Sequence, residues 1–365
     1  MSERSTPREP PVARGSTPRI PHSRPTLDET DQRAVSEVVT SGKLVGGRRI
    51  ARFERELAEL LGRRRAIGVT SGSAALHLTL AAMGVGPGDY VALPSYACIS
   101  LLQAVRRAKA EPLVVDCDPV SFAIDPDDLR RRLHAGVRAT VIVHTFGMPF
   151  PVESCFVGPP VIEDIATALG ARRHGRPVGT DGGCVVCSFN ATKMITTGGG
   201  GAVIADDPGF VSSVEDLIDY DERGDISVRY NERMGEIPAS LGLSQLSRLP
   251  EFLERRRRIA AIYEEHLGDN GLILPASRPG CEPAWHRYVV RVKGGAQWVR
   301  SRLTKRGIDS PRPVNQPLHW ILGRGGYPGA ETAHREGLSL PIYPTLTDDD
   351  ARRIALEVRR CLKER

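Results

Sequence analysis

The stretch SFNATKMITTGGGGAV, residues 188–203, sets Lys193 among asparagine, threonine and four consecutive glycines, directly after an apolar run. A lysine amine held against a carbonyl forms a Schiff base and then serves as acid and base. VIEDIATALGA, residues 161–171, ends an apolar run on Glu163 and Asp164. A carboxylate at the carboxyl end of a strand is what a cofactor needs if a ring nitrogen is to stay protonated. Alternation sends Glu163 to the other face, which makes Asp164 the candidate. TSGSAAL, residues 70–76, closes a strand and opens a helix with Gly72 between Ser71 and Ser73. Free amides and the helix dipole make such a turn an anion site. Each feature has a plainer reading beside this one: an ordinary helix cap, an ion-paired carboxylate, a solvated lysine in a glycine loop. Their order after successive strands is the set that holds pyridoxal phosphate as a lysine Schiff base.

The elements that must position these residues are legible between Ala66 and Asp207. Short apolar runs at 66–70, 90–94, 112–116, 139–146, 160–164, 184–189 and 202–206 alternate with helical patterns at 73–84, 98–109 and 125–133. Such alternation predicts an α/β fold with a mostly parallel sheet covered on both faces, its ligands bound beyond the carboxyl ends of the strands. A helical stretch follows over 239–267, where Pro250 marks a break or a new first turn. HRYVVRV (286–292), AQWVRSRLTKRGI (296–308) and a last helix after PTLTDDD (344–350) predict a small α+β C-terminal domain. The expected organisation is a disordered basic tail over 1–20, a large domain over 21–250 with an N-terminal helical arm, and a small domain over 251–365.

Composition narrows the class. Fifty Lys and Arg against 44 Asp and Glu give a net charge of +6, and the arginine clusters lie among acidic residues with no aromatic-interleaved basic stripe. No nucleic-acid partner is therefore expected. The tail has no hydrophobic stretch of a signal peptide and nowhere do about 18 apolar residues run together, so a cytoplasmic protein with no membrane partner and no metal is expected. The seven cysteines suit buried free thiols. Cys184 and Cys187 form a CxxC within a predicted strand, where residues three apart face opposite sides.

From about Ile20 to the C-terminus the chain resembles the DegT/DnrJ/EryC1/StrS family of sugar aminotransferases. The motifs are TSGKLVGGRRIARFERELAELLG (40–62), TSGSAALHLTLAAMGVGPGDYVALPSY (70–96), IEDIATALGA (162–171), SFNATKMITTGGGGAV (188–203), RYNERM (229–234), LGLSQL (241–246) and LSLPIYPTLT (338–347). The resemblance implies the aspartate-aminotransferase type of fold and pyridoxal 5′-phosphate as cofactor. It implies that Lys193 bonds the cofactor, that Asp164 pairs with its pyridinium nitrogen, and that Gly72, Ser73 and Ser188 hold its phosphate. Asn231 resembles the asparagine that reaches the phosphate of the other subunit's cofactor, so a homodimer with shared active sites is implied.

Four positions depart from the family pattern. Cys98 stands where an aromatic residue covers the cofactor ring in many members, leaving Cys98 or the nearby Tyr96 to cover it. Thr167 replaces a glutamine near the cofactor's phenolic oxygen, Gly199 a glutamate, and Glu232 an aromatic residue. The resemblance implies transfer of an amino group from an amino acid, L-glutamate or L-glutamine, to a small-molecule keto acceptor. In most of the family that acceptor is a nucleotide-linked keto-deoxysugar, and Arg229, Arg233 and Arg312 suit a diphosphate or a carboxylate. The alternatives are a cyclitol, an aldehyde or another small ketone, and a non-catalytic regulatory homologue. The dehydratase branch has histidine at the lysine position, and this chain keeps lysine.

Overall fold

The computed structural model describes residues 19–221, 224–268 and 271–364. Most of the tail, residues 1–18, lies outside the described residues. The end of that tail is anchored: Ile20 is buried, donates to Gly307 O at 2.8 Å, and accepts from the amide of Asp309.

A seven-stranded sheet carries the site. Its strands are β1 (Arg65–Val69), β2 (Tyr90–Pro94), β3 (Glu111–Val115), β4 (Val137–Val143), β5 (Val161–Asp164), β6 (Cys184–Ser188) and β7 (Gly201–Ala205). The spatial order is β1-β7-β6-β5-β4-β2-β3. Only β7 runs against the rest, pairing antiparallel with β1 and β6, while β6, β5, β4, β2 and β3 are parallel. Alternation is strict where both faces are covered. Val203 and Ala205 enter one core, and Ala202 and Ile204 the other. The two cysteines of the CxxC part in the same way, Cys184 to the first core and Cys187 to the second. Burial pushes both thiols up to about 12.

Helices α1 (Glu29–Ser41), α2 (Arg48–Leu61), α3 (Gly72–Ala82), α4 (Ile99–Arg107), α5 (Pro126–Arg132) and α6 (Pro208–Ile218) surround the sheet. A single residue, Arg248, separates helix α7 (Glu236–Ser247) from α8 (Leu249–Leu267), and Pro250 lies in the first turn of α8, where its missing N–H costs nothing. A second core joins α8 to β8 (Tyr288–Val292), α9 (Gln297–Lys305), β9 (Gly337–Leu340) and α11 (Asp348–Lys363). Between α9 and β9, α10 (Pro328–Glu336) sends Ala330 and Ala333 into the large sheet's core.

Two histidines, half-buried His22 and buried His334, make the fold sensitive to acid, and the first joins segments distant in sequence. The imidazole of His22 meets Ser339 Oγ at 2.8 Å. Burial, with Arg287 nearby, lowers the His22 pKa from 6.5 to about 3. Burial, with Arg312 and Arg300, lowers that of His334 to about 4. Both stay neutral in the fold at pH values where the unfolded chain is already protonated. Their contribution is therefore complete above about pH 6.5 and declines as pH falls from there towards about 4 for His334 and about 3 for His22. The denaturation midpoint is expected to fall below pH 6.5 in wild type and to fall less steeply in His22→Gln, as followed by urea unfolding across pH.

Candidate active site

The carboxyl ends of β1, β5 and β6 open on one region. After β1, Ser71 caps α3, its hydroxyl oxygen accepting from the Ala74 amide at 3.0 Å. Gly72 begins the helix against the end of β6, where an added Cβ would stand 2.6 Å from Ser188 Cβ and 3.0 Å from its hydroxyl. From the other side Gly201 presses so close that a Cβ there would stand 2.6 Å from the Gly72 nitrogen. First-turn amides, half-buried Ser73 and half-buried Ser188 thus lie together at the positive end of a helix. Gly72→Ala is expected to push Ser188 aside at a cost of about 1–3 kcal/mol. That would appear as roughly tenfold or more loss of cofactor affinity in a fluorescence titration.

The two carboxylates of β5 have opposite fates. Glu163, fully buried, accepts from His144 Nε2 at 3.0 Å and from the amides of Gly179 at 3.0 Å, Asp181 at 2.9 Å and Gly182. Burial opposes its ionisation, yet His144 and these amides outweigh burial and hold it below the usual carboxylate range. His144 Nδ1 accepts from the Phe150 amide at 3.1 Å, which fixes Nε2 as the donor. Glu163 is a bracket for the loop after β5. Glu163→Gln, which sets an amide N–H against these donors, is expected to destabilise the protein by about 3 kcal/mol, measured by denaturant unfolding.

Asp164 points to the opposite side and has far less support. Among the described residues only the Ala166 amide donates to its carboxylate, at 2.8 Å. Burial raises its pKa, against the pull of Ala166, Lys193 and His144. A buried carboxylate so weakly compensated suits a cationic ring N–H.

Lys193 lies in the loop that leaves β6. Its amide donates to Asn190 O at 2.9 Å, and its charge is felt at Asp164, Cys187 and His286. The loop is closed by Phe189, whose amide donates to Gly200 O and whose carbonyl accepts from the Thr197 amide. Buried His286 donates from Nε2 to Thr192 O at 3.1 Å, holding the peptide just before the lysine. Burial, together with Lys193, Arg287 and Arg256, keeps that imidazole neutral. At Gly199 a side chain would find open space, with no atom nearer than Thr70 O at 4.0 Å, so the departure there empties a surface position.

The remaining candidates are distributed as follows. Tyr96 is buried, stacked on Phe122 at 5.8 Å, and donates its hydroxyl to Ala333 O, so its ring belongs to the core. Cys98 is exposed at the N-cap of α4. The Thr167 hydroxyl donates to His144 O at 2.9 Å. Asn231 is exposed in a segment lying antiparallel to the end of β1, where Val69 pairs with Arg233. Glu232 receives Arg107 at 2.6 Å, so this departure supplies an ion pair. Arg229 is engaged by Asp216 and Asp225, and Arg233 by Asp219. Among the described residues Arg312 meets Gln297 and no carboxylate. His144 and His286 were absent from the sequence reading. A histidine directly after the apolar residues ATVIV is the available signal for the first. The approach of His286 is purely tertiary.

These residues fit pyridoxal phosphate: a cradle a Cβ would fill, an under-compensated buried carboxylate, and a lysine whose charge reaches that carboxylate. The family model of the DegT/DnrJ/EryC1/StrS aminotransferase family matches residues 25–359. The chain is 33% identical to GDP-perosamine synthase of Caulobacter vibrioides, over 92% of this chain and 96% of that protein. It is also 33% identical to dTDP-3-amino-3,4,6-trideoxy-alpha-D-glucose transaminase of Streptomyces venezuelae, over 95% and 97%. Among solved structures, the aminotransferase TlmJ from Streptoalloteichus hindustanus superposes with a TM-score of 0.90 at 32% identity, over 94% of this chain and 99% of that one. The chain belongs to the DegT/DnrJ/EryC1/StrS aminotransferase family and is a pyridoxal-phosphate-dependent transaminase.

Proposed function

We propose that this transaminase takes its amino group from L-glutamate or L-glutamine and delivers it to the keto group of a nucleotide-linked keto-deoxysugar. The observation that carries the site is the meeting of Lys193, Asp164 and the Gly72–Ser188 cradle beyond one end of one sheet. Bound pyridoxal phosphate supplies an electron sink for the carbon that loses its proton. Asp164 would hold the ring nitrogen protonated. Gly72, Ser73 and Ser188 would anchor the phosphate, and the Lys193 amine would take the proton from the donor's Cα in the first half-reaction and deliver a proton to the acceptor's former keto carbon in the second. Cys98 and Thr167 border the ring in this reading. The names of the two nucleotide-sugar relatives support the acceptor class.

The same reading makes the protein a cytoplasmic homodimer in which Asn231 of each subunit completes the other's phosphate site. Exposed Leu44 and Val45, on the segment whose Leu44 carbonyl accepts from Glu236, and exposed Ile226 and Val228 support a covered face beside Asn231. No described helix is long and apolar enough to cross a membrane. The test is the visible spectrum of the cofactor-loaded protein on addition of L-glutamate and then L-glutamine, followed by screening the aminated form with nucleotide-linked and free ketones. Bleaching by one donor and recovery with a nucleotide-linked ketosugar is the expected result. Recovery with a free cyclitol or aldehyde alone would overturn the acceptor assignment.

A further inference from the structure

Most arginines of this chain that face a neighbour are matched to a carboxylate, and three that lie together are not. Arg287, half-buried just before β8, donates to Pro313 O at 2.6 Å. Arg300, buried on α9, donates to Gly337 O at 3.1 Å and to Gln297 Oε1 at 2.6 Å. Exposed Arg312 shares that same Gln297 oxygen at 3.3 Å. Among the described residues none of the three has an acidic partner in these contacts. Arg300 and Arg312 meet at the Gln297 oxygen, and Arg287 binds the carbonyl of Pro313, the residue next to Arg312. Arg300 loses proton affinity first to burial and then to Arg312, and both depress His334, while Arg287 and Arg300 both act on the Tyr96 hydroxyl. Three guanidiniums gathered without a counter-ion is a costly arrangement that an anion relieves.

The cluster borders the active site. The Arg287 amide donates to Phe146 O, in the turn that follows His144, and the preceding residue His286 holds Thr192. The Arg287 charge reaches Cys98 at the start of α4. Arg287 also lines a cleft walled by Phe122, Phe146, Met148 and Val289. Phe122 and Phe146 are held at φ of 61° and 59°, a left-handed conformation that bulky residues adopt only where the surroundings enforce it. An apolar wall with the Arg287 guanidinium at its edge suits a ligand with a flat or apolar body and an anionic group.

We propose that Arg287, Arg300 and Arg312 form the subsite for the anionic group of a substrate, a diphosphate on the acceptor or a carboxylate on the donor. This rests on the transaminase site described above; it keeps Arg312 for the role the sequence offered it, adds Arg287 and Arg300, and leaves out Arg229 and Arg233, which are engaged by aspartates.

The experiment uses the full-length, cofactor-loaded protein as wild type, Arg287→Met and Arg312→Met. Arg300 is left intact because its bond to Gly337 O ties α9 to β9. GDP and dTDP are titrated by calorimetry at low and high salt, and the L-glutamate concentration giving half-maximal bleaching is measured in parallel. Each variant is expected to weaken one ligand by about tenfold to a hundredfold, with a shallower salt dependence. Loss confined to the nucleotides assigns the cluster to the diphosphate, and loss confined to glutamate assigns it to the carboxylate. Binding of both ligands within twofold of wild type would overturn the proposal. Absence of the cofactor band in wild type would count against the site reading instead, and the nucleotide titration would still decide the cluster.

Discussion

Lys193→Ala is expected to lower transamination by about 10⁴-fold or more while the protein remains folded. The size follows from two roles in one amine, the covalent hold on the cofactor and the proton transfer at the donor's Cα. The fold is spared because the anchoring contacts of the loop are backbone ones: the amide of residue 193 to Asn190 O, the Thr197 amide to Phe189 O, and His286 to Thr192 O. Single-turnover loss of the donor's Cα proton, followed by exchange into heavy water, checks the chemical role. Unfolding in urea checks the structural one. Exchange persisting at the wild-type rate would remove Lys193 from the chemistry.

Asp164→Asn is expected to separate stability from activity. In the protein without cofactor, the buried Asp164 carboxylate is under-compensated, and its raised pKa records that cost. An amide of the same shape removes the charge, so the unliganded variant should be at least as stable as wild type. With cofactor bound the order should reverse. An asparagine cannot hold the ring nitrogen protonated, and turnover should fall by roughly 10³-fold with weakened retention. Thermal midpoints with and without pyridoxal phosphate, set beside single-turnover rates, test both halves. An unliganded variant several degrees less stable than wild type would show that Asp164 is a structural carboxylate like Glu163.

The contrast between these neighbouring carboxylates shows how far the sequence reaches. Alternation along VIED was enough to send them to opposite faces, because a strand buried on both sides leaves no other choice. All seven sheet strands were legible for the same reason, as short apolar runs whose positions shift by a few residues at most. The place of β7 was not. Its residues GAVIA are apolar on both faces, and nothing in such a run marks it as antiparallel or as the strand between β1 and β6. Ile20 falls inside the expected tail yet is anchored, because its partners Gly307 and Asp309 lie far along the chain. Composition likewise gave no hint that Tyr96 would be enclosed while Cys98 stayed open. The ring of Tyr96 is claimed by Phe122 and Ala333, contacts that no local pattern encodes.

The reversed strand has a consequence for how the protein comes into being. Because β7 is wedged between β1 and β6, with Arg65 opposite Ala205, β1 has no ladder partner until the chain has been synthesised well past its midpoint. Such non-local closure slows folding and leaves β1 and α3 waiting with apolar surface uncovered. Gly201, at the head of that strand, presses on the turn at Gly72. A nascent chain stalled before Ala205 should therefore be both aggregation-prone and unable to capture the cofactor, so vitamin supply and ribosome pausing would act on the same late event.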